Sequence, residues 1–133
     1  MTFTKTTEYA LRTLTFMAQK PDALYSATFL HKQLKIPHNY LQRLLTDLTK
    51  CELLKSVRGR HGGFTFFKKI DKIRLSEIIN AVEGFKDTPS CFFGFSECAV
   101  DNPCAMHEVW TKWQTEIIKK LSTTSLVDLI PKK

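Results

Sequence analysis

A basic, glycine-rich hexapeptide, Arg58-Gly59-Arg60-His61-Gly62-Gly63, constrains the fold of this chain more than any other feature. It lies between two short apolar runs, Leu53 to Val57 and Phe64 to Lys68. Two runs of strand type on either side of a turn rich in glycine predict a β-hairpin. Three segments with helical spacing precede this hairpin, and that order of elements is typical of a winged helix-turn-helix.

The helices that precede the hairpin are predicted from the spacing of their apolar residues. Residues 6–19 form the first, and Ser26 is a candidate N-cap for a short second helix. The tripeptide Lys35-Ile36-Pro37 then breaks the chain, and a third helix runs from about His38 to Lys50. We interpret the helices on either side of this break as the helix-turn-helix.

Beyond the hairpin, a fourth helix is expected around residues 75–82, and a last helix is expected to begin near Pro103. The predicted fold class is therefore mainly α with a small β-hairpin (α+β). We expect three parts: residues 1–85 as a winged helix-turn-helix DNA-binding domain, residues 86–107 as a cysteine-rich cluster-binding loop, and residues 103–133 as a C-terminal dimerisation helix and tail.

The third predicted helix has one outward polar face. Arginine and amide side chains can form paired hydrogen bonds with base edges, and lysine can neutralise phosphate. The residues near the start of such a helix would lie deepest in the major groove. The alternative is an ordinary solvated helix face. The candidate DNA-reading residues are His38, Asn39, Tyr40, Gln42, Arg43, Thr46 and Lys50.

The hairpin tip adds Arg58, Arg60 and His61 as candidate DNA contacts. Glycine allows the backbone to approach a phosphate chain closely, and an arginine on a thin wing can enter the minor groove. A flexible exposed turn is the alternative. The chain has 20 Lys and Arg against 13 Asp and Glu, a net charge of +7, which favours a polyanionic partner such as double-stranded DNA.

Three cysteines and a histidine, Cys91, Cys98, Cys104 and His107, fall within a short stretch without helical or strand period. Soft sulfur ligands favour an iron–sulfur cluster, zinc or copper(I). Zinc usually shows closer cysteine pairs, which are absent here, and thiols that bind no metal are a third reading. Cys51 follows the inward leucines of the third helix, so we interpret it as a small buried hydrophobic residue.

The last predicted helix carries an apolar stripe that includes Trp110, Trp113, Ile117 and Leu121. This stripe is either a homodimer interface or part of the core of one subunit, and the pattern alone does not decide between them. If two subunits pair here, their reading helices would face successive major grooves of a palindromic operator.

Other functional classes fit less well. There is no secretory signal and no apolar run long enough to span a membrane, so a cytoplasmic location is expected. In the reducing cytosol, cysteines are more often metal ligands or redox sensors than disulfides. Cys104 and His107 could form a nucleophilic dyad, but the chain has no glycine-rich phosphate loop, and an enzyme is not expected. A protein-binding winged helix that holds zinc is the third class considered.

The chain resembles a known family over nearly its whole length. The marks are Thr7-Glu8-Tyr9-Ala10-Leu11-Arg12 near the start, Ile36-Pro37-His38-Asn39-Tyr40-Leu41 entering the third helix, and Val57 to Phe64 at the wing, followed by the three-cysteine loop. These segments resemble the Rrf-type winged-helix transcription regulators, which include the IscR, NsrR and RirA iron–sulfur repressors.

That resemblance implies a homodimer with one iron–sulfur cluster per subunit, whose loss or change alters operator binding. By position, Cys91, Cys98 and Cys104 look like the cysteine ligands, and Arg58 resembles the minor-groove arginine of the wing. His107 is similar to one type of fourth ligand, and Glu8 of the partner subunit is similar to the other. The spacing of the first two cysteines departs from both types, so a 2Fe-2S and a 4Fe-4S cluster both remain open.

Overall fold

The computed structural model describes residues 4–84 and 105–130. Within these ranges the chain is mainly helical and carries one antiparallel two-stranded hairpin, which confirms the predicted fold class. The elements in chain order are α1 (Lys5–Ala18), α2 (Ala27–Leu34), α3 (His38–Lys50), β1 (Leu54–Val57), β2 (Gly63–Phe66), a 3-10 turn (Ile70–Lys72), α4 (Leu75–Glu83), α5 (His107–Thr123) and a C-terminal 3-10 turn (Leu126–Leu129).

The helix-turn-helix is formed by α2 and α3. The Ser26 side chain accepts a hydrogen bond from the Phe29 N–H at 3.0 Å and so caps α2, as its sequence predicts. Lys35 ends α2 in the left-handed conformation, with φ of 57°, and Pro37 directly precedes α3. The two helices are therefore separated by the short break that was expected.

The core of the helix-turn-helix is built from one face of α3. Its four leucines are buried together with Leu30 of α2, Ile36 of the turn and Leu14 of α1. Because these side chains recur at helical spacing, their burial turns the opposite, polar face of α3 away from the core. The four leucines are Leu41, Leu44, Leu45 and Leu48.

The hairpin is joined to the helices by backbone hydrogen bonds. Strands β1 and β2 pair from Leu54 opposite Phe66 to Val57 opposite Gly63. Tyr25, just before α2, exchanges two further bonds with Phe64, at 2.9 and 2.7 Å. At this junction a Cβ on Gly63 would lie 2.7 Å from the Tyr25 carbonyl oxygen, so only glycine fits there.

The C-terminal residues return to the winged helix after α5. The Leu75 N–H donates to the Thr124 carbonyl at 3.0 Å, and the Leu126 N–H donates to the Ile73 carbonyl at 2.8 Å. Leu126 is fully buried in the same core as the leucines of α3. The last described turn therefore completes the core of the winged helix.

A capping box holds this C-terminal turn. The backbone N–H and the hydroxyl of Ser125 both donate to the Asp128 carboxylate, at 3.0 and 3.1 Å. These two hydrogen bonds stabilise the charged carboxylate and so hold the pKa of Asp128 below its usual value.

Two expectations from the sequence are wrong. Cys51 is exposed, because α3 ends at Lys50 and the chain turns away from the core before Leu53 becomes buried. The last helix begins at His107 rather than near Pro103, since Ala105 and Met106 form a turn. Over the described ranges, no helix is both long and apolar enough to cross a membrane.

We expect Leu126→Ala to lower the free energy of unfolding by about 2–5 kcal/mol, because it removes a fully buried side chain from the core. Val127→Ala is the matched control, since Val127 is 41% exposed and its truncation should change the free energy by about 0.5 kcal/mol or less. Urea unfolding followed by circular dichroism measures both. Equal, small losses would show that the C-terminal turn does not belong to the core.

Candidate nucleic-acid interface and metal ligands

The polar face of α3 is open to solvent. Each of its predicted DNA-reading residues beyond the first turn is exposed, while the leucines of the opposite face are buried. Thr46 donates its hydroxyl proton back to the Gln42 carbonyl at 2.9 Å, which holds that side chain close to the helix. The exposed residues of this face are Asn39, Gln42, Arg43, Thr46 and Lys50.

The three residues of the first turn of α3 that were predicted to enter the major groove have different surroundings. Asn39 is exposed, whereas His38 is half-buried and lies with its ring 5.6 Å from the ring of His31. The ring of Tyr40 packs edge-on against Tyr9 of α1, with centroids 5.3 Å apart. Asn39 is exposed without a ring contact, whereas Tyr40 packs on Tyr9 and still keeps 36% of its surface exposed.

The hairpin tip presents Arg58, Arg60 and His61, all exposed. Its turn depends on glycine: a Cβ on Gly62 would lie 2.0 Å from the Val57 carbonyl oxygen, and Gly59 has φ of 119°. In the ranges 4–84 and 105–130 the ion pairs are Lys5–Glu8 and Lys68–Glu77, so neither tip arginine is neutralised by a carboxylate there.

The three candidate cysteine ligands lie outside the described residues, and the structure places only His107 and Glu8 of the proposed donor set. His107 is half-buried and is the first residue of α5. Glu8 is exposed on α1, where Lys5 pairs with it at 3.2 Å. Among residues 4–84 and 105–130 there is no group of three metal-ligating side chains.

The donor set has the chemistry of an iron–sulfur or zinc site. Three thiols and one imidazole occur between Cys91 and His107, and thiolate and imidazole nitrogen are ligands for both kinds of centre.

The aromatic stripe of α5 is largely outside the core of the subunit. Trp110 and Trp113 stack on each other with centroids 5.2 Å apart, and Trp113 is 43% exposed. The side chains that α5 buries are instead Gln114 and Ile118. Ile117 and Leu121 are half-buried, so the predicted stripe lies at the edge of the subunit.

Several contacts that hold this surface were not anticipated from the sequence. Thr6 and Tyr9 of α1 contact Tyr40, and Arg12 donates to the Leu34 carbonyl at the end of α2 at 2.9 Å. The buried Gln114 was missed as well, because a polar residue gives no sign of burial in an apolar pattern. The signal that was available was the Thr7 to Arg12 segment, in which Tyr9 and Arg12 were given no role.

Known proteins give a consistent identification. The family model described as Rrf2, an iron-dependent transcriptional regulator, matches residues 3–132. An HTH-type transcriptional regulator of Aquifex aeolicus is 32% identical over 98% of this chain and 92% of its own length. The regulator NsrR of Oceanobacillus iheyensis is 31% identical, over 98% of this chain and 90% of its own.

A solved structure shows the same fold. CymR, the global cysteine regulator of B. subtilis, superposes with a TM-score of 0.83 at 25% identity, over 97% of this chain and 95% of its own. These proteins are regulators and not enzymes. Sequence, fold and relatives agree that the chain belongs to the Rrf2 family of winged-helix transcriptional regulators.

Proposed function

We propose that this regulator binds a palindromic DNA operator as a homodimer, in the cytoplasm, and that an iron–sulfur cluster controls the binding by sensing iron, redox or nitric oxide status. The observation that carries the DNA-binding part is the exposed polar face of α3 together with an exposed basic hairpin tip, whose arginines pair with no carboxylate of residues 4–84 and 105–130. The control by a cluster is supported by the donor set of the sequence.

The face of α3 supplies the base-reading chemistry. Asn39 and Gln42 each carry an amide that can donate to and accept from one base edge, and Arg43 can form two hydrogen bonds with guanine. Lys50, at the last turn of the helix, can reach a phosphate. This face therefore combines sequence reading with backbone contact.

The hairpin tip supplies electrostatic attraction and an arginine that can enter the minor groove. Arg58 and Arg60 extend from a turn that has no acidic side chain within its six residues. Narrow minor grooves concentrate negative potential and attract arginine. Each phosphate that a basic side chain neutralises releases counterions, so binding should weaken as salt rises.

We propose Cys91, Cys98, Cys104 and His107 as the cluster ligands, with Glu8 of the partner subunit as the alternative to His107. When bound, a cluster supplies reversible redox chemistry and a centre that reacts with small molecules. The protein's own part is to tie the cysteine segment to the start of α5, where His107 lies. The family description as iron-dependent and the similarity to NsrR support this reading.

The homodimer is proposed to form along α5. Trp110, Trp113, Ile117 and Leu121 lie at the edge of the subunit, and a second subunit would cover the exposed part of Trp113. Because the C-terminal turn joins the end of α5 to the winged-helix core, the position of α5 is fixed relative to α3. Pairing along α5 would then set the separation of two reading helices.

The second candidate is a winged-helix regulator with a zinc site or a bare-thiol redox site in place of the cluster. The observation in its favour is the similarity to CymR, which is described as a global cysteine regulator and not as an iron-dependent one. Iron and sulfide analysis of anaerobically purified protein separates the two candidates, since only the first predicts both elements.

Arg58→Ala should weaken operator binding roughly tenfold and lower the slope of log affinity against log salt by about one. The reason is the loss of one exposed cation at the hairpin tip. Fluorescence anisotropy at several salt concentrations measures both quantities. Lys119→Ala, which removes an exposed cation from α5, is the control and should change neither. If Arg58→Ala changed neither the operator affinity nor its salt dependence, the hairpin tip would not be part of the DNA-binding surface.

Cys98→Ala should abolish the visible absorbance of anaerobically purified or reconstituted protein, because a cluster that loses a thiolate ligand is no longer held. Cys51→Ala is the matched control and should keep the colour, since the exposed Cys51 lies at the end of α3 and outside the donor set. Colour that survives in Cys98→Ala would show the ligand assignment to be wrong.

The fourth ligand is tested by His107→Ala against Glu8→Ala. We expect His107→Ala to lose bound iron and to alter the cluster spectrum, and Glu8→Ala to keep both, because His107 follows Cys104 closely in the same chain. Iron content and absorbance of the reconstituted proteins are the measurements. The reverse pattern would assign the position to the partner subunit's Glu8.

A further inference from the structure

The side chain of Tyr40 is 36% exposed and contacts two residues of α1. Its ring packs edge-on against the ring of Tyr9, at an interplanar angle of 84°, and its hydroxyl forms a hydrogen bond with the Thr6 hydroxyl. Both partners belong to α1, whereas Tyr40 lies in the first turn of the reading helix α3. The start of α3 is therefore joined to α1 by a polar and an aromatic contact.

A second contact fixes the other helix of the helix-turn-helix to the same face of α1. Arg12 donates from Nη2 to the Leu34 carbonyl, an oxygen at the helix end that has no partner within α2. The Arg12 guanidinium also lies 5.8 Å from the centroid of the Tyr9 ring. Thr6, Tyr9 and Arg12 recur every three residues, which places them along one side of α1.

Helix α1 is also held in place by α4 and by the C-terminal 3-10 turn. Thr7 is buried and donates its hydroxyl proton to Glu83, the last residue of α4. The C-terminal 3-10 turn also packs on α1, through the core that contains Leu14 and Leu126. Because α1 is anchored in this way, it is a fixed support against which α3 can be oriented.

We propose that Tyr40 is a positioning residue of DNA recognition, which sets the angle of α3 through Thr6 and Tyr9 instead of contacting DNA. This inference rests on the proposed DNA-binding role of α3. Base-edge hydrogen bonds require accurate placement of the helix, whereas attraction to phosphate tolerates a small tilt. Loss of the contact should therefore reduce sequence-specific binding selectively.

The test compares Tyr40→Phe, Thr6→Val and the double variant. Tyr40→Phe keeps the ring on Tyr9 and removes the hydroxyl, and Thr6→Val removes the hydroxyl's partner on α1. Thr15→Val is the matched control, because the Thr15 hydroxyl bonds only within α1, to the Leu11 carbonyl at 2.6 Å. The probes are the duplex that the wild-type protein selects from a randomised pool and an unselected duplex of the same length.

Each single variant should bind the selected duplex roughly fivefold more weakly, the magnitude expected for one lost hydrogen bond. The double variant should be no weaker than either single variant, because both changes break the same bond. Affinity for the unselected duplex, its salt dependence and the melting temperature should match those of Thr15→Val.

A weak Tyr40→Phe protein beside an unaffected Thr6→Val protein would overturn the proposal, because the hydroxyl would then contact DNA itself. Equal losses on both duplexes, or a lowered melting temperature in step with them, would also overturn it by showing a general loss of structure. If the wild-type protein selected no duplex from the pool, the proposed DNA-binding function itself would be contradicted. That outcome is distinguishable from the two above, in which the wild-type protein does select a duplex.

Discussion

Burial of the leucine face of α3 is the interaction on which the rest of this structure depends. Leu41, Leu44, Leu45 and Leu48 enter the same core as residues of α1, α2 and the C-terminal turn. Because the side chains of a helix rotate by a fixed angle per residue, this burial also decides which residues face solvent. The outward set carries amide, guanidinium and ammonium groups, so the contact that stabilises the domain also exposes its candidate reading surface.

The hairpin extends this surface by a different physical route. Its tip owes its shape to backbone constraints at Gly59, Gly62 and Gly63, and not to burial of side chains. The tight approach of Gly63 to Tyr25 ties the hairpin to the residues before α2. The hairpin is therefore held against the start of the helix-turn-helix, while its basic tip and the polar face of α3 are both exposed.

Helix positions and the hairpin could be predicted from the sequence because they depend on local patterns. Apolar spacing, the Ser26 cap, the break before Pro37 and the glycines of the tip each act within a few residues. The pattern did not show that Cys51 would be exposed. The helix α3 ends one residue earlier, at Lys50, and the chain changes direction there, so the helical spacing no longer applies to Cys51. Nor did the pattern show the contacts of Tyr40 with Tyr9 and Thr6 of α1, which join residues 31 and 34 positions apart. Such contacts depend on how helices meet in space.

The return of the chain after α5 bears on how this protein can be divided. The winged helix formed by the N-terminal elements takes Leu126 into its interior. The Leu75 N–H donates to the Thr124 carbonyl, and the Leu126 N–H donates to the Ile73 carbonyl. A fragment cut after α4 would expose an apolar cavity and leave those peptide groups without their partners. The winged helix and α5 are thus joined into one folded unit, and an exchange of either part between relatives must carry residues 124–126 together with the elements on which they pack.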